Sequence, residues 1–332
     1  MPESINISAS RGAAILGLSK YRTPVEVWLE IMEQHKPGFC ESNGFVKPER
    51  QYNAAMQYGH AFEDAIVGLY ESETGLVVHD REIFYQHVDY IYITTHIDGY
   101  AGRNDTLDAL HTGFSDNRLY EAKTANIRAW RESWGEPGTD EIPADYMVQV
   151  LHQMICTGYE EADIAVLILP ENQDWLAENA RDMSQIDPGS IARALADLGF
   201  FKIYTVKKNE RLQSRMIEAY REFWETNILG ENPPEPQKYD DIRRIVPAPS
   251  GTILANETLE ALCGEYSQTN AALKAATDRK SELKKMIVNG MRKLSADAHE
   301  EPESVGKWRL LNSRGRQIAS YSGDRFNVSK GA

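Results

Sequence analysis

The stretch DIAVLIL, residues 163–169, restricts the fold of this chain more than any other feature. A short, uninterrupted apolar run of this kind is typical of a buried strand. Upstream, EIFYQHV, YIYITTHID and RLYEAKTA predict three strands, the first two antiparallel around a tight turn at Asp89. Pro143 then opens a predicted helix that ends near Gly158. This order predicts an α/β fold of the α+β type, with a mixed central sheet flanked by helices.

Helical periodicity predicts further helices on either side of these strands. Residues 8–33 have a helical pattern with a break near Leu18–Thr23, and a second helix is predicted from Gln51 to Thr74. Gly75 fits the C-terminal cap of that second helix. After DIAVLIL, the run FFKIYTVKKN and a helix over Glu210–Ile228 complete the predicted domain.

The stretch Gly230–Pro236 contains three prolines and predicts a linker. We therefore expect a first domain over residues 1–229, a linker over residues 230–256 and a C-terminal extension over residues 257–332. Within the extension, a long amphipathic pattern predicts a helical arm, and GKWRLLN and QIASYS predict a small hairpin. Two interpretations of the arm stay open: it packs on its own domain, or it contacts a partner.

Composition limits the class of protein. The chain has 332 residues, of which 42% are hydrophobic and 26% charged, which is ordinary for a soluble globular protein. No apolar run approaches the roughly 18 residues of a membrane-spanning helix, and the opening MPESINISAS lacks the features of a signal peptide. We therefore expect a cytoplasmic protein with no membrane partner.

Cysteine spacing and net charge exclude further classes of site. Cys40, Cys156 and Cys263 show no CxxC spacing, which argues against a disulfide framework and against a cysteine-ligated zinc or iron–sulfur site. The formal net charge of −14 argues against indiscriminate binding to phosphate backbones. A local basic surface on an acidic protein can still contact phosphates, so the net charge does not exclude a nucleic-acid ligand.

Two carboxylates and a lysine are predicted to meet at one edge of the sheet. Glu121 and Lys123 are two residues apart on a predicted strand, so their side chains share a face. Asp98 ends the preceding strand, and Gly99 follows it where the backbone can turn sharply. Carboxylate oxygens suit magnesium or manganese, and a metal-bound water together with a lysine is the equipment of phosphodiester hydrolysis.

Taken singly, each of these residues also has an ordinary structural interpretation. A Glu-x-Lys pair often lies on the solvated face of a surface strand, and Glu63 in isolation fits a solvated helix position. Gln149 and Gln153 are four residues apart, so they can simply share a hydrogen-bonded helix face. Tyr146 fits a core aromatic with a solvated hydroxyl. The pattern of single residues leaves both interpretations open.

Five motifs taken together are more specific. They are SASRGAAILGLSKYRTPVEVW, YGHAFEDAIVGLYESETG, HIDG, YEAKTA and IPADYMVQVLHQMICTG, in this order across residues 5–170. In their order and spacing they resemble the lambda-exonuclease and YqaJ-type viral recombinase group of the PD-(D/E)xK nucleases. The resemblance implies a PD-(D/E)xK nuclease core for this part of the chain.

The resemblance also implies roles for the central residues. Asp98 and Glu121 are expected to bind Mg²⁺, for which Mn²⁺ substitutes, with the main-chain carbonyl of Ala122 as an additional ligand. Lys123 is expected to orient or activate the attacking water. Glu63 matches a helix glutamate that supports the metal site, directly or through water.

Further residues of the resemblance are expected around this centre. Gln149 matches a glutamine on the helix after the Glu-x-Lys strand, and Tyr146 lies one turn before it. Ser10 matches a serine near the DNA end. Because some relatives carry an arginine before this serine that recognises a 5′-phosphate, and none stands there in this chain, we expect a substitute among three DNA-binding candidates: Arg11, Lys20 and Arg22.

The implied function is a magnesium-dependent exonuclease that degrades linear double-stranded DNA from its ends in the 5′→3′ direction. Its product would be single-stranded DNA for a single-strand annealing protein in phage-type recombination, and relatives form ring-shaped homo-oligomers. A structure-specific or restriction-type endonuclease would use the same site. A non-catalytic DNA-binding or assembly protein is the third alternative, against which the intact Asp98, Glu121 and Lys123 set argues.

Overall fold

A computed structural model describes residues 5–49, 54–103, 117–170, 187–246, 251–297, 308–323 and 325–329. The chain divides into two units, Met1–Pro249 and Ser250–Ala332. In the described residues, no helix combines the length and the apolar character needed to cross a bilayer.

The first unit is built on a mixed sheet, as the sequence predicted, and this sheet has five strands. Its strands are β2 (Val77–His79), β5 (Gly99–Gly102), β6 (Arg118–Asn126), β7 (Glu161–Leu169) and β8 (Phe201–Lys207), in the spatial order β2-β5-β6-β7-β8. β6 and β7 pair in parallel, and the other neighbours pair antiparallel. The short strands β2 and β5 were not predicted from the sequence.

Both faces of this sheet are covered, which explains the uninterrupted apolar run of β7. Alternate residues such as Ile164 and Val166 belong to one core cluster, and Ala165 and Leu167 belong to another. The second cluster is closed by α4 (Ala54–Thr74) and by a helix, Pro188–Asp197, that precedes β8. The helix Ala144–Thr157, which Pro143 precedes as predicted, contributes to the first cluster.

The N-terminal segment forms two helices with the predicted break. After the two-residue strand β1 (Ile7–Ser8), they are α1 (Ala9–Ile15) and α2 (Pro24–His35). Thr23 caps α2 because its hydroxyl accepts a hydrogen bond from the Glu26 amide at 3.2 Å, and the Glu26 carboxylate accepts one from the Thr23 amide at 3.1 Å. A short helix, α3 (Phe39–Ser42), follows α2.

The two predicted strands before Asp98 belong to a second sheet. β3 (Phe84–Gln86) and β4 (Ile93–His96) pair antiparallel as predicted, and β1 adds to β4 in parallel. Only Ile97 and Asp98 separate β4 from β5 of the central sheet. Asp98 therefore lies where the chain crosses from one sheet to the other.

Between β6 and β8 the remaining helices of the first unit follow in chain order: α5 (Ile127–Ser133), α6 (Ala144–Thr157) and α7 (Pro188–Asp197). After β8, α8 (Glu210–Glu222) continues as a π-helical segment, Phe223–Leu229. The predicted helix over Glu210–Ile228 is thus present, with its last two turns in π geometry.

The first unit continues past residue 229, where the sequence analysis placed the end of the first domain. A short helix, α9 (Tyr239–Ile245), lies in the segment predicted as linker and docks on the first unit. The Thr23 hydroxyl donates to the Asp241 carboxylate at 2.7 Å, and Arg244 forms an ion pair with Glu26 at 3.4 Å. These contacts tie α9 to the start of α2, so the first unit extends to Pro249.

The second unit contains the long helix that the sequence predicted, α10 (Glu257–Asp297). The predicted hairpin is present as β9 (Trp308–Leu311) and β10 (Gln317–Ser322), and a third antiparallel strand, β11 (Arg325–Val328), extends it.

Gly99 is expected to be irreplaceable, because β2 approaches it closely. An alanine Cβ there would lie 2.7 Å from Val78 Cγ1 and 3.0 Å from the His79 carbonyl oxygen. We expect Gly99→Ala to lower the free energy of unfolding by about 1–3 kcal/mol, measured by urea denaturation. Gly68→Ala is the matched control: among the described residues, no atom outside its own helix surroundings lies within 4 Å of the added Cβ. Equal denaturation midpoints for the two variants would contradict this prediction.

Candidate active site

The structure brings Asp98, Glu121 and Lys123 together, as the strand pattern predicted. Glu121 and Lys123 project from the same face of β6, and the Lys123 ammonium forms an ion pair with Glu121 Oε1. Asp98 reaches the same strand, where its Oδ2 accepts a hydrogen bond from the Ala122 amide at 3.0 Å. The two carboxylates and the lysine thus converge on the middle of one strand.

Two glutamines of α6 hold the Glu121 carboxylate. Gln149 Nε2 donates to Glu121 Oε1, and Gln153 Nε2 donates to Oε2 at 2.7 Å. Their spacing of four residues puts both side chains on the helix face that packs against β6. Gln149 was predicted from the sequence, whereas Gln153 was noted only as a neighbour on that helix face. The four-residue spacing of the two glutamines was the signal that could have found Gln153.

Burial and like charge distinguish Asp98 from an ordinary surface aspartate. Burial, and secondly the charge of Glu121, raise the pKa of Asp98 to about 6, against the opposing charge of Lys123 and the amide of Ala122. Burial alone would lower the pKa of Lys123, but the charges of Glu121 and Asp98 outweigh burial and raise it above its usual value. Lys123 is therefore an ammonium ion at neutral pH.

The donor set fits a divalent cation. Burial and, secondly, the charge of Glu121 raise the pKa of Asp98, and a bound cation would offset both effects on the carboxylate. Carboxylate oxygens are ligands that Mg²⁺ and Mn²⁺ prefer, and the Ala122 carbonyl stays a predicted additional ligand. In the described part of the chain, however, no three Asp, Glu, His or Cys side chains form a cluster able to hold a metal ion.

Glu63, the third predicted acidic residue, is joined to an arginine that the sequence did not indicate. Arg81, between β2 and β3, donates to Glu63 Oε1 at 2.9 Å and also forms an ion pair with Asp64. The charge of Arg81 in turn lowers the pKa of Asp98, although burial dominates there. Arg81 therefore pairs with Glu63 and also acts electrostatically on Asp98. The role of Glu63 as a metal ligand stays a prediction.

Tyr146 lies next to the lysine of the site. The Lys123 ammonium is 5.5 Å from the centre of the Tyr146 ring. The same ring also contacts Trp134, and the two ring centres are 5.4 Å apart. Burial raises the pKa of the Tyr146 hydroxyl. Tyr146 thus joins the acidic centre to an aromatic group that the sequence analysis did not single out.

The N-terminal cations are only partly available to a DNA phosphate. The Arg11 guanidinium is buried and donates to the Asn6 carbonyl at 2.7 Å, to Gln34 at 2.9 Å and to Glu30 at 3.1 Å. These hydrogen bonds join the segment before β1 to α2, and the role of Arg11 as a DNA contact stays a prediction.

Arg22, Lys20 and Ser10 have different surroundings. Arg22 forms an ion pair with Glu30, the same carboxylate that Arg11 contacts. Burial raises the pKa of Asp145 at the start of α6, and the positive charge of Lys20 opposes this rise. Ser10 is exposed, with its hydroxyl 3.1 Å from that of Ser8. These three residues stay predicted DNA contacts.

Comparison with known proteins bears on the predicted family. Residues 3–160 match the family model described as the YqaJ-like viral recombinase domain. The predicted family is thereby confirmed, and the match contains Asp98, Glu121, Lys123, Gln149 and Glu63.

Individual relatives are distant. The uncharacterized protein YqaJ of Bacillus subtilis strain 168 is 23% identical over 300 residues, which cover 89% of this chain and 72% of that protein. The alkaline exonuclease LHK-Exo of Laribacter hongkongensis is 20% identical with a TM-score of 0.45, over 68% of this chain and 89% of its own. A phage-related exonuclease of Haemophilus somnus 129PT is 15% identical with a TM-score of 0.44, over 68% of this chain and 96% of that protein.

Removing the Asp98 charge is expected to stabilise the metal-free protein at alkaline pH. An unfolded aspartate has a pKa of about 3.9, and the folded value is about 6. The folded state thus binds the proton more tightly than the unfolded state does. The contribution of Asp98 to the free energy of unfolding therefore falls as pH rises from about 4 to 6, and it stays low above pH 6. In EDTA, Asp98→Asn should raise the Tm at pH 8 by about 5 °C, and by much less at pH 5.

Asp240→Asn is the control for this measurement, because the Asp240 side chain is on the surface. We expect it to leave the Tm within about 1 °C at either pH. A Tm for Asp98→Asn that falls below wild type at pH 8 would show that the Asp98 charge stabilises the metal-free fold, against this prediction.

Proposed function

We propose that this chain is a divalent-metal-dependent deoxyribonuclease that degrades linear duplex DNA from its ends. The observation that carries the proposal is the convergence of Asp98, Glu121 and a protonated Lys123 on β6, with both oxygens of Glu121 held by glutamines. The YqaJ-like viral recombinase domain that contains these residues supports the same conclusion.

The roles of the residues follow from their charges and contacts. Asp98, Glu121 and the Ala122 carbonyl would hold the cation, which supplies positive charge and an acidified water molecule. The Lys123 ammonium donates a hydrogen bond to a non-bridging oxygen of the scissile phosphate and offsets the charge that develops there. Gln149 and Gln153 keep the Glu121 oxygens in a fixed orientation, and Arg81 adds positive charge at the edge of the site.

The direction of digestion and the partners belong to the same proposal. As a viral recombinase, the protein would digest the 5′-ended strand and leave single-stranded DNA for an annealing protein, in the cytoplasm of a bacterial or phage-infected cell. Assembly into a ring around the DNA would keep the enzyme on one strand end. Ser10, Lys20, Arg22 and Tyr146 are the proposed DNA contacts.

Activity should depend on the charged residues of β6 and on Asp98. With Mg²⁺ or Mn²⁺, the wild-type protein is expected to degrade 5′-phosphorylated linear duplex, followed by release of acid-soluble nucleotides. Asp98→Ala and Lys123→Ala should each lower the rate by at least about 100-fold, because metal binding and charge stabilisation are lost. Lys36→Ala, which removes a surface ion pair with Glu231, should retain the wild-type rate. An inert wild-type protein, or full activity in both site variants, would refute the proposed chemistry.

A covalently closed duplex circle separates an exonuclease from an endonuclease that uses the same site. An enzyme that needs ends should leave the circle intact and degrade it only after linearisation. Nicking or linearisation of the circle by wild type, and not by Asp98→Ala, would assign the site to an endonuclease instead. Linear substrates with and without a 5′-phosphate, compared in wild type and Lys20→Ala, test whether Lys20 contributes to recognition of the end.

A further inference from the structure

A groove lined by two tryptophans and two cations lies beside the candidate active site. We call it the Trp134 groove, defined by Trp130, Arg131, Trp134, Glu136 and Lys202, together with the backbone of Gly135 and Pro137. It has a volume of about 480 Å³, which is in the range of small-ligand sites. None of these residues was singled out by the motif analysis.

Ring contacts connect this groove to the lysine of the active site. The Lys123 ammonium lies 5.5 Å from the Tyr146 ring, and Tyr146 and Trp134 are 5.4 Å apart between ring centres. Trp134 also lines the groove. A DNA strand whose phosphate reaches Lys123 would therefore have neighbouring nucleotides at the groove.

The tryptophans are held in place before any ligand binds. Trp130 Nε1 donates to the Tyr204 hydroxyl at 2.9 Å, and that hydroxyl donates to the Gly135 carbonyl at 3.1 Å. The Tyr204 ring lies 4.9 Å from Trp134. The loop after Trp134 is fixed as well, because the Gly138 amide donates to the Ile203 carbonyl at 2.9 Å. A ligand would thus meet a preformed surface.

The charges of the groove favour a ligand that carries both an aromatic ring and an anion. Arg131 and Lys202 line it, and across the described ranges neither has a carboxylate within ion-pair distance. Glu136 is the acidic residue of the lining. Tryptophan faces stack on nucleobases, and Arg and Lys bind phosphates. A strand of DNA offers both groups at successive positions.

We infer that the Trp134 groove binds single-stranded DNA within a few nucleotides of the scissile phosphate, with a base stacked on Trp134 and phosphates bound by Arg131 and Lys202. This inference rests on the proposed function and deepens it. It assigns to the protein a contact with unpaired bases, in addition to the phosphate contacts of the acidic centre.

The test measures binding without cleavage. A single-stranded oligodeoxynucleotide with a fluorescent 3′ label is titrated with the full-length protein in EDTA, and binding is followed by anisotropy. A second oligonucleotide of the same length carries abasic residues, which keep the phosphates and remove the bases. Trp134→Ala should weaken binding of the normal oligonucleotide on the order of tenfold and leave binding of the abasic one unchanged.

Two further variants separate stacking from loss of local structure. Trp134→Phe keeps an aromatic ring and should recover most of the affinity, whereas Arg131→Ala should weaken both oligonucleotides, because it removes a phosphate contact. Trp224→Ala is the matched control: Trp224 stacks on Tyr92 at 4.4 Å, outside the groove, and its removal should not change affinity.

The inference falls if Trp134→Ala binds the normal oligonucleotide as tightly as wild type, or if it weakens the normal and abasic ligands equally. Because no cleavage occurs in EDTA, this result is independent of the nuclease assay. If binding depends on Trp134 but the protein degrades no DNA, the inference about the groove stands and the proposed function fails. If the protein degrades DNA and binding does not depend on Trp134, only the inference about the groove fails.

Discussion

The buried carboxylate of Glu121 is the constraint on which the first unit's arrangement depends. Glu121 is 1% exposed in the middle of the central sheet, and an ionised carboxylate there is costly unless several donors compensate it. Lys123 provides one donor from the same strand, and Gln149 and Gln153 provide two from α6. The register of α6 against β6 is therefore fixed by chemistry as well as by apolar packing. A shift of α6 by one residue would turn both glutamines away from the carboxylate.

Asp98 is compensated much less completely. One hydrogen bond from the Ala122 amide does not offset burial and the neighbouring charge of Glu121, and the pKa of Asp98 is raised accordingly. The short link between β4 and β5 holds the residue in this position, because strands of two different sheets fix both of its ends. The backbone thus maintains a carboxylate pair that its side-chain environment disfavours. Such tension is common where a protein positions groups for a ligand that carries the opposite charge.

Local periodicity predicted the parts of the site that depend on neighbouring residues. Glu121 and Lys123 share a face because side chains alternate along a strand, and that rule needs no tertiary information. Arg81 could not be found in this way, because it reaches Glu63 from a turn 18 positions away. The docking of α9 involves a hydrogen bond between Thr23 and Asp241, which are 218 positions apart, so the proline-rich stretch before α9 gave no sign of it. Contacts across the fold decided each of these cases.

Contacts across the fold, rather than position in the sequence, also decide which positive charges are accessible to a DNA ligand. The chain has a formal net charge of −14. Arg11 lies close to Ser10 in sequence, yet folding directs its guanidinium into the protein, where it shares Glu30 with Arg22. Arg81 is similarly occupied by Glu63 and Asp64. Both arginines are therefore paired with carboxylates of the protein itself. For the proposed DNA ligand, aromatic stacking would add affinity that does not depend on the net charge of the protein, beside the contacts that cations make with phosphates.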